Sequence, residues 1–304
     1  MAIKEVEYVW MDGNFVKWNE ATVHILTHAL HYGTGVFEGI RGYAGANNVY
    51  IFRLREHMKR LRNSAKVYMM DIPYSQDDLC TATIELLKKN NIRETCYIRP
   101  LVYRGFGVIG LNPINSPVKT AIAAFPFGKY LGTGGVNCCV SSWRRISSSA
   151  LPPEAKACGN YINSVLAKLE AIQNGFDEAI LLDQYGYVSE GSGENIFIVR
   201  DNVIYTPPLS SSILEGITRD SVFKIASDLG YQVVERMITR TELYICDEAF
   251  FSGTAAEITP IVKIDHRVIG DGKIGSVTEK IRTAFFRIVE GKNEKYQHWL
   301  TPVY

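Results

Sequence analysis

The sequence predicts a mixed α/β (α+β) protein with a smaller N-terminal domain and a larger C-terminal domain. Helical and strand patterns alternate in both halves of the chain. The 304 residues slightly exceed the ~250–300 at which a single hydrophobic core usually stops growing. The stretch FGKYLGTGGVN, residues 127–137, has four glycines and is the best linker. We therefore predict domains at 1–123 and 137–304, joined by an interdomain loop at 124–136.

The N-terminal half is predicted to contain a hairpin, two helices and two longer strands. Two apolar runs flank Asp-Gly in YVWMDGNFVKW, which is a strong hairpin signal. REHMKRLRNSAKVY has apolar and aromatic residues at helical spacing, and DDLCTATIELLKKNN is typical of an amphipathic helix with acidic residues at its start. The segments CYIRPLVYR and VKTAIAAFPFG have strand character.

The C-terminal half is predicted to alternate short strands with three helices. NCCVSSWRR resumes strand character, and EAILLD, YVS, NIFIV, VIYTP and YQVVERMI are further short strands. EGITRDSVFKIASDLG and SVTEKIRTAFFRIVEG are typical of helices. A third helix opens at Asn160 and stops at Gly175. Its apolar residues share one face: Ile162, Val165, Leu166, Leu169 and Ile172.

Composition excludes several classes of protein. A chain that is 46% hydrophobic and 21% charged is typical of a globular protein, and a net charge of +1 gives no global field to attract nucleic acid or a membrane. We find neither the apolar core of a signal peptide nor an apolar run near the ~18–20 residues of a membrane helix. A cytoplasmic location is expected. The cysteines form no CxxC pair and are expected to be reduced, mostly buried thiols: Cys80, Cys96, Cys138, Cys139, Cys158 and Cys246.

No metal ion is predicted. His24, His28 and His31 have helical spacing, which leaves a metal site open as an alternative, but no acidic residue lies between them as in HExxH. Packing and hydrogen bonding are their expected roles. The chain also lacks GxGxxG, GxxxxGK[ST] and GxSxG motifs, so the common nucleotide-binding and hydrolase interpretations have no anchor.

Lys156 is the first candidate for chemistry. It lies in LPPEAKACGN between a strand and a helix, where Ala155, Ala157 and Gly159 allow a partly buried position. A lysine that acts as a nucleophile must be neutral part of the time, and partial burial favours the neutral form. An ordinary solvated lysine is the alternative.

The second candidate is the glycine-rich connection YVSEGSGENIF, which contains Glu190 and Glu194. Glycines on both sides of a carboxylate allow a flat ring to approach the backbone closely. A plain polar turn is the alternative, and two glutamates also permit the acid and base pair of a glycosidase.

The third candidate is a pair of anion sites. SSSILEGITRD places Gly216, Ile217 and Thr218 at a helix start, where N–H groups and the helix dipole favour a phosphate. FFSGTAAEITP places Thr254 and Ala255 in a tight turn of amide donors. Ordinary capping and a plain loop are the alternatives. Taken together, a nucleophilic lysine, a carboxylate beside a flat ring and two amide clusters match the requirements of pyridoxal phosphate.

The chain resembles the branched-chain amino-acid aminotransferases, which are class IV, fold-type IV pyridoxal-phosphate enzymes. The resemblance runs nearly end to end through HALHYGTGVFEGIRGY, FRLREHMKRL, YIRPL, AAFPFGKYLG, KACGNY, SEGSGENIF, GITRD and SGTAAEITP. It implies a small N-terminal α/β domain, a larger C-terminal domain with a mixed, barrel-like sheet, and pyridoxal 5′-phosphate at the domain interface. The implied activity is ping-pong transamination of leucine, isoleucine and valine with 2-oxoglutarate.

The resemblance implies a role for each matching residue of the cofactor site. Lys156 carries the cofactor covalently and moves the substrate proton. Glu190 pairs with the pyridine nitrogen, and Tyr161 hydrogen-bonds the phenolic oxygen. The phosphate is held by four residues: Arg60, Ile217, Thr218 and Thr254.

The resemblance also implies the substrate contacts. Arg99 receives the distal carboxylate of glutamate, for which bidentate pairing suits its geometry. The Thr254–Ala255 turn and the Tyr97 hydroxyl meet the α-carboxylate, and Arg41 either supports this region or forms a structural ion pair. The apolar wall comprises Tyr32, Phe37, Tyr97, Phe127 and Tyr130. Many relatives have tryptophan at position 127, so the lost indole N–H leaves the preferred substrate size open.

Partners and rival functions complete the expectations. The loop GVIGLNP, residues 107–113, looks like one that reaches into a partner subunit's site, which implies a homodimer. Within the fold, a D-amino-acid aminotransferase or an aminodeoxychorismate lyase would keep Lys156 and Glu190, but FEGIRGY with YIRPL favours the branched-chain group. Two other classes stay open: a hydrolase that uses Glu190 with Glu194, and a non-catalytic phosphate-ligand-binding protein that tolerates loss of Lys156.

Overall fold

The computed structural model describes residues 3–45, 47–128 and 134–304, in which helices and strands alternate as the predicted mixed α/β class requires. The helices are α1 His28–Tyr32, α2 Leu54–Val67, α3 Gln76–Lys89, α4 Tyr161–Gln173, α5 Ile217–Asp228, α6 Glu242–Ile245 and α7 Ser276–Val289. Every helix among these residues is too short or too polar to cross a membrane. The strands are β1 Tyr8–Met11, β2 Asn14–Lys17, β3 Gly35–Phe37, β4 Ile40–Ala44, β5 Val49–Phe52, β6 Cys96–Arg104, β7 Val118–Pro126, β8 Val136–Arg144, β9 Glu178–Leu182, β10 Val188–Gly191, β11 Asn195–Arg200, β12 Val203–Thr206, β13 Val233–Glu235, β14 Glu248–Gly253, β15 Glu257–Ile264, β16 Arg267–Val268 and β17 Leu300–Pro302.

The described residues divide into two units. The first comprises those of 1–128, 155–159 and 287–304, and the second those of 129–154 and 160–286. Two short segments therefore belong with the N-terminal unit although they lie far along the sequence. The predicted domains, 1–123 and 137–304 with a loop at 124–136, stay a prediction, because internal packing does not show which segments fold independently.

The first unit contains an antiparallel sheet in the order β17-β5-β4-β6-β7-β1-β2, with β3 also paired to β6. The predicted hairpin is confirmed: β1 and β2 are joined by Asp12 and Gly13, whose φ angles are 46° and 90°. A two-residue turn with both φ angles positive matches the twist of the strands that it joins. The hairpin therefore forms one edge of this sheet.

Helices α2 and α3 cover the first sheet, as their apolar spacing predicts. Met58, Leu61 and Leu86 are fully buried against it. Helix α3 begins at Gln76, one residue before the acidic start expected from the sequence, because Ser75 and Asp78 form a capping box. This reciprocal pair satisfies backbone N–H groups that the helix itself cannot bond.

The second unit contains a mixed sheet in the order β10-β9-β8-β15-β14-β11-β12-β13, with β16 also paired to β15. Strand β8 runs parallel to both β9 and β15, and β12 runs parallel to β13. The remaining pairs are antiparallel. The predicted mixed sheet of the C-terminal part is thus confirmed.

Helix α4 packs on this sheet through small residues. Ala167 and Ala171 are fully buried against β8 and β9. The apolar face that the sequence predicted is largely exposed instead, with Ile162 64% exposed and Ile172 56% exposed. Small side chains let the helix approach the sheet closely, and they leave an apolar stripe facing outward.

The cysteines are free thiols, as predicted. Five are buried and Cys158 is half-buried. Burial raises the pKa of the Cys96 thiol to about 12, so it stays protonated at neutral pH. These residues therefore serve as small apolar side chains.

Candidate active site

The backbone of Lys156 is fixed within the first unit. Its N–H donates to Ser64 Oγ of α2 at 3.1 Å, and its carbonyl accepts the Phe37 N–H at 3.0 Å. The next residue, Ala157, forms an antiparallel bridge with Val36 of β3. Only the side-chain torsions of Lys156 are therefore left to direct its amine.

A glycine is required at the end of α1, where Gly33 meets the backbone of Gly159. Gly33 ends α1 with φ 66°, and its carbonyl accepts the Gly159 N–H at 3.3 Å. A Cβ on Gly33 would lie 2.9 Å from the Gly159 Cα. Only glycine allows the left-handed conformation and this contact together, which explains the glycine of HALHYGTG at position 33.

The side chain of Lys156 is half-buried between the buried Ala155 and Ala157. Its Nζ lies 5.2 Å from the centroid of the Phe37 ring. This agrees with the partly buried position predicted from the small neighbouring residues, and the aromatic face attracts the cationic form of the amine.

Arg60, a predicted phosphate ligand, forms a bidentate ion pair with Glu38. Arg60 Nε donates to Oε1 at 2.6 Å and Nη2 to Oε2 at 2.8 Å, while His57 Nδ1 lies 2.7 Å from Oε2. Burial alone would raise the pKa of the fully buried Glu38, but Arg60 and then His57 outweigh it and hold that pKa well below its usual range. Burial lowers the pKa of His57. A neutral His57 then donates its Nδ1 hydrogen to the carboxylate.

Three of the predicted wall residues lie in the first unit around Arg99. The Tyr97 and Phe127 ring centroids are 5.2 Å apart, and the Arg99 guanidinium carbon lies 4.6 Å from the centroid of the Phe37 ring. Arg99 Nη2 donates to the Tyr97 hydroxyl at 2.9 Å. That hydroxyl stands over the backbone of Gly39, where a Cβ would lie 2.1 Å from it. The result is an apolar aromatic surface with an exposed cation beside it.

The other predicted substrate residues of this unit have different contacts. The buried Arg41 donates from Nη2 to the Gly128 carbonyl at 2.6 Å and lies 5.4 Å from the Phe127 ring centroid, so it supports the chain beside that ring. The Tyr32 hydroxyl accepts the Gly110 N–H at 3.1 Å, which places Tyr32 with the loop 107–113. Tyr130 lies outside the described residues.

The histidines near α1 make local hydrogen bonds. The ring nitrogens of His28 lie 2.8 Å from Thr34 Oγ1 and 2.8 Å from the Gly110 carbonyl. His31 Nε2 lies 2.9 Å from the Ile25 carbonyl, and His24 Nδ1 accepts the Leu26 N–H. Within residues 3–45, 47–128 and 134–304, no three His, Cys, Asp or Glu side chains are grouped to hold a metal ion.

Glu190 lies on β10 in the second unit and is held at both carboxylate oxygens. Oε1 is 2.9 Å from Arg145 Nε. Oε2 accepts the Asn195 amide at 3.0 Å and the Leu214 N–H at 3.1 Å. The polar side chains around this carboxylate are all buried. They are Arg145, Glu190, Asn195 and the neighbouring Glu194. The orientation of the Glu190 carboxylate is therefore fixed by its surroundings.

Glu194 occupies a different environment, in the turn between β10 and β11. Its Oε2 accepts the Gly193 N–H at 3.1 Å, and its carbonyl accepts the Gly191 N–H at 2.7 Å. Burial, and then the nearby Glu178 carboxylate, raises the pKa of Glu194 to about 8. A Cβ on Gly191 would lie 2.7 Å from Glu194 Oε2, so this position requires glycine. Glu194 is thus protonated at neutral pH.

The two predicted anion sites both lie against this turn in the second unit. Gly216 caps α5, and a Cβ there would lie 2.0 Å from Asn195 Oδ1. A Cβ on Gly253, which precedes the Thr254–Ala255 turn, would lie 3.6 Å from Glu194 Cγ. The structure thus brings Glu190 together with the helix start and the turn. The structure also locates two other predicted site residues. Thr218 is buried in the first turn of α5, and Tyr161 is the first residue of α4.

The residues present fit pyridoxal 5′-phosphate. Glu190 offers an oriented carboxylate for a protonated ring nitrogen. The start of α5 is the end of a helix at which the dipole favours an anion, and the Thr254–Ala255 turn follows Gly253, which lies beside Glu194. Lys156 offers a half-buried amine. A carboxylate, amide donors and a primary amine are the three kinds of group that this cofactor needs.

Sequence reasoning missed four residues of these clusters. Glu38 and His57 orient Arg60, and Arg145 and Asn195 orient Glu190. Glu38 is in FEGIRGY and Asn195 is in SEGSGENIF, so a buried role for the charged residues of these motifs could have been suspected. Nothing in NCCVSSWRR distinguishes the buried Arg145 from the exposed Arg144.

Known proteins are similar to this chain over nearly all of its length. Residues 35–264 match the sequence model of Amino-transferase class IV. A branched-chain-amino-acid aminotransferase of Salmonella typhimurium is 47% identical over 308 residues, which cover 100% of this chain and 99% of that relative. The branched-chain aminotransferase of Thermoproteus uzoniensis with norvaline has a TM-score of 0.96 at 52% identity and covers 99% of this chain and 100% of its own. A second solved branched-chain amino acid aminotransferase, complexed with N-(5′-phosphopyridoxyl)-L-glutamate, has a TM-score of 0.95 at 49% identity, with 99% of each chain covered.

Proposed function

The chain belongs to the class IV aminotransferases, and from this premise we propose that it uses pyridoxal 5′-phosphate to exchange amino groups between branched-chain L-amino acids and 2-oxoglutarate. The observation that carries the substrate assignment is the position of Arg99. Its cationic head lies beside the Phe37 and Tyr97 rings, so an apolar side chain and a distal carboxylate are both provided for. A ping-pong enzyme needs both, because leucine and glutamate use the same site in turn.

Lys156 is proposed to carry the cofactor and to move the proton. The bound cofactor supplies a ring that takes up the electron pair left when the substrate α-carbon loses its proton. The Lys156 amine takes that proton from the α-carbon as a base and delivers it to the cofactor C4′ as an acid. Its backbone is fixed by Ser64 and Phe37, so the amine moves only by its own torsions.

Glu190 is proposed to face the ring nitrogen. As a carboxylate it favours the protonated nitrogen, which makes the ring a stronger electron acceptor. Asn195 and the Leu214 N–H hold Oε2, and Arg145 lies beside Oε1. These contacts keep the carboxylate from rotating away from the ring. Tyr161 is proposed to hydrogen-bond the phenolic oxygen.

The phosphate and the substrate carboxylates are proposed to bind at the remaining predicted positions. Arg60 and the first N–H groups of α5, at Ile217 and Thr218, together with Thr254, hold the phosphate. The Thr254–Ala255 turn and the Tyr97 hydroxyl receive the α-carboxylate, and Arg99 receives the distal carboxylate of glutamate. Phe37 and Phe127 exclude water from an apolar side chain, while Tyr32 and Tyr130 extend the same wall.

A homodimer in the cytoplasm is part of the proposal. The predicted loop that reaches a partner contains Ile109 and Leu111, which are largely exposed in the single chain. Exposed apolar side chains that lie close together are typical of a protein interface. Six free thiols favour a reducing compartment. Nothing in the geometry favours a hydrolase with Glu190 and Glu194, because Arg145 pairs with the first and the second faces the Gly193 N–H.

The test is the absorption spectrum of the purified protein with pyridoxal 5′-phosphate. We expect a visible band that moves to the near ultraviolet on addition of L-leucine and returns on addition of 2-oxoglutarate. Lys156→Ala should bind the cofactor without completing this cycle, since it lacks the amine that moves the proton. Lys168→Ala, which removes a lysine paired with Glu178, is the matched control and should still cycle.

Each failure has a distinct meaning. A wild-type protein that stays colourless with pyridoxal 5′-phosphate would overturn the cofactor assignment. A coloured protein that ignores L-leucine and responds to D-alanine would contradict the substrate assignment alone.

A further inference from the structure

Arg60, the proposed phosphate ligand, belongs to a cluster with Glu38 and His57, and its contacts with Glu38 are not needed for binding a phosphate. Glu38 is fully buried, and its carboxylate takes up the Nε–Nη2 edge of Arg60 and the Nδ1 hydrogen of His57. A guanidinium is planar, so binding through this edge fixes its plane. The third nitrogen, Nη1, is then directed away from Glu38.

We infer that Glu38 is a positioning residue for the cofactor phosphate, which it serves by holding the Arg60 guanidinium with Nη1 directed at the anion. The inference rests on the proposed function, which supplies the phosphate. His57 assists by holding Oε2 of the same carboxylate. Glu38 itself does not touch the phosphate in this scheme.

The backbone of Glu38 links this cluster to the lysine. The Glu38 N–H donates to the Pro100 carbonyl of β6 at 2.9 Å, and the preceding residue, Phe37, donates to the Lys156 carbonyl. The last residue of β3 and the residue after it therefore fix the backbones of Lys156 and of Glu38, the partner of Arg60. Such a segment sets the distance between the amine and the phosphate ligand.

Positioning and charge balance predict opposite outcomes. If Glu38 only neutralised Arg60, its replacement by a neutral residue would leave an unopposed cation, and a phosphate dianion would bind more tightly. If Glu38 positions Arg60, the same replacement frees the guanidinium and weakens phosphate binding. The sign of the change in affinity therefore separates the two roles.

The experiment compares pyridoxal 5′-phosphate with pyridoxal, which lacks the phosphate. The full-length protein is freed of cofactor and titrated with each compound by absorbance, as wild type, Glu38→Gln and Glu38→Asp. We expect Glu38→Gln to weaken pyridoxal 5′-phosphate by about 10- to 100-fold and to leave pyridoxal within about twofold, since a charge-assisted hydrogen bond is lost only at the phosphate. Glu38→Asp keeps the charge and should recover part of the affinity.

Two controls separate positioning from damage. Glu56→Gln removes the carboxylate of the Arg53–Glu56 ion pair on the same helix and should not change the ratio of the two affinities. Glu38→Gln should add no further loss in an Arg60→Met background, because the residue through which it acts is gone.

Three outcomes would overturn the inference. If Glu38→Gln binds pyridoxal 5′-phosphate as tightly as wild type or more tightly, Glu38 does not position Arg60 and at most balances its charge. Equal weakening of both compounds would show a structural role without phosphate positioning. A wild-type protein that does not bind pyridoxal 5′-phosphate at all would remove the proposed function, and this inference with it.

Discussion

At the scale of single residues, the end of β10 and the turn that follows it hold two glutamates in opposite environments. Glu190 forms an ion pair with Arg145 and accepts hydrogen bonds from the Asn195 amide and the Leu214 N–H. Glu194 has the Gly193 N–H and lies near the Glu178 carboxylate, so its pKa is raised to about 8. A protonated Glu194 beside the glycine-rich turn holds the backbone that presents Glu190 without adding a second negative charge.

This raised pKa makes stability depend on pH. Between about pH 4.5 and about 8 the folded protein holds a proton on Glu194 that the unfolded chain releases. The free energy of unfolding should therefore fall as the pH rises through this window, by up to about 1.4 kcal/mol per pH unit from this group. Glu194→Gln removes the titration, so its unfolding free energy should depend less on pH. Urea unfolding at pH 5, 6, 7 and 8 measures both slopes.

Glu154→Gln is the control for that series, because Glu154 is exposed and its replacement should leave the pH slope unchanged. Parallel pH profiles for wild type and Glu194→Gln would contradict the protonated state of Glu194 in the fold.

The residues proposed to touch the ligand could be suggested from the sequence, whereas the residues that orient them could not. Lys156, Glu190 and Thr254 lie in motifs whose residue types already suggest their chemistry. The role of Glu38 or Arg145 depends on burial and on partners far along the sequence, since Glu190 meets an arginine 45 positions earlier only through the sheet. Local sequence patterns cannot predict a contact between residues so far apart in the chain.

At the scale of elements, the start of α5 depends on the absence of one side chain. Gly216 has φ −73°, which suits any residue, so its backbone does not explain the glycine. A Cβ there would lie 2.0 Å from Asn195 Oδ1. The Asn195 side chain cannot move away from such a Cβ without losing hydrogen bonds, because its amide donates to Glu190 and to the Leu214 carbonyl. The glycine lets the helix start and the Glu190 cluster touch.

Gly216→Ala should therefore disturb both the proposed phosphate site and the orientation of Glu190. We expect the protein to fold with a stability loss of about 1–3 kcal/mol, as for other overpacked sites, and to bind pyridoxal 5′-phosphate at least about tenfold more weakly. Thermal unfolding and cofactor titration measure the two effects. Gly134→Ala is the matched control, since a Cβ there would meet no described atom within 4 Å. Wild-type cofactor affinity in Gly216→Ala would contradict the contact.

Periodic elements were predictable, and contact partners were not. The hairpin at Asp12 and Gly13 and the helices α2 and α3 follow from local turn chemistry and from spacing. Strand β3 has three residues and no alternating pattern, so only its pairing with β6 makes it a strand. For α4, periodicity revealed an apolar face but not that the opposite, small-residue side packs on the sheet.

At the scale of the whole molecule, one group of exposed apolar side chains lies in and next to the loop 107–113, where contact with another chain would bury it. Ile109, Leu111 and Ile114 belong to or adjoin the predicted partner loop, and Leu111 is 88% exposed. Tyr32 and His28 hold this loop at Gly110, so it is presented in a defined conformation. A loop held by hydrogen bonds and tipped with apolar side chains is suited to insertion into a second copy of the chain.

Leu111→Glu should separate the proposed dimer into single chains. A glutamate at a symmetric interface is buried twice, and each unpaired charge opposes association. Sedimentation velocity at micromolar concentration should show dimers for wild type and single chains for Leu111→Glu. Transamination should fall at least about tenfold, because in the proposed dimer this loop completes the partner's site. Tyr185→Glu, at a side chain 74% exposed outside this loop, should keep both the dimer and the activity. A fully active single chain, in wild type or variant, would show that each copy of the chain works alone.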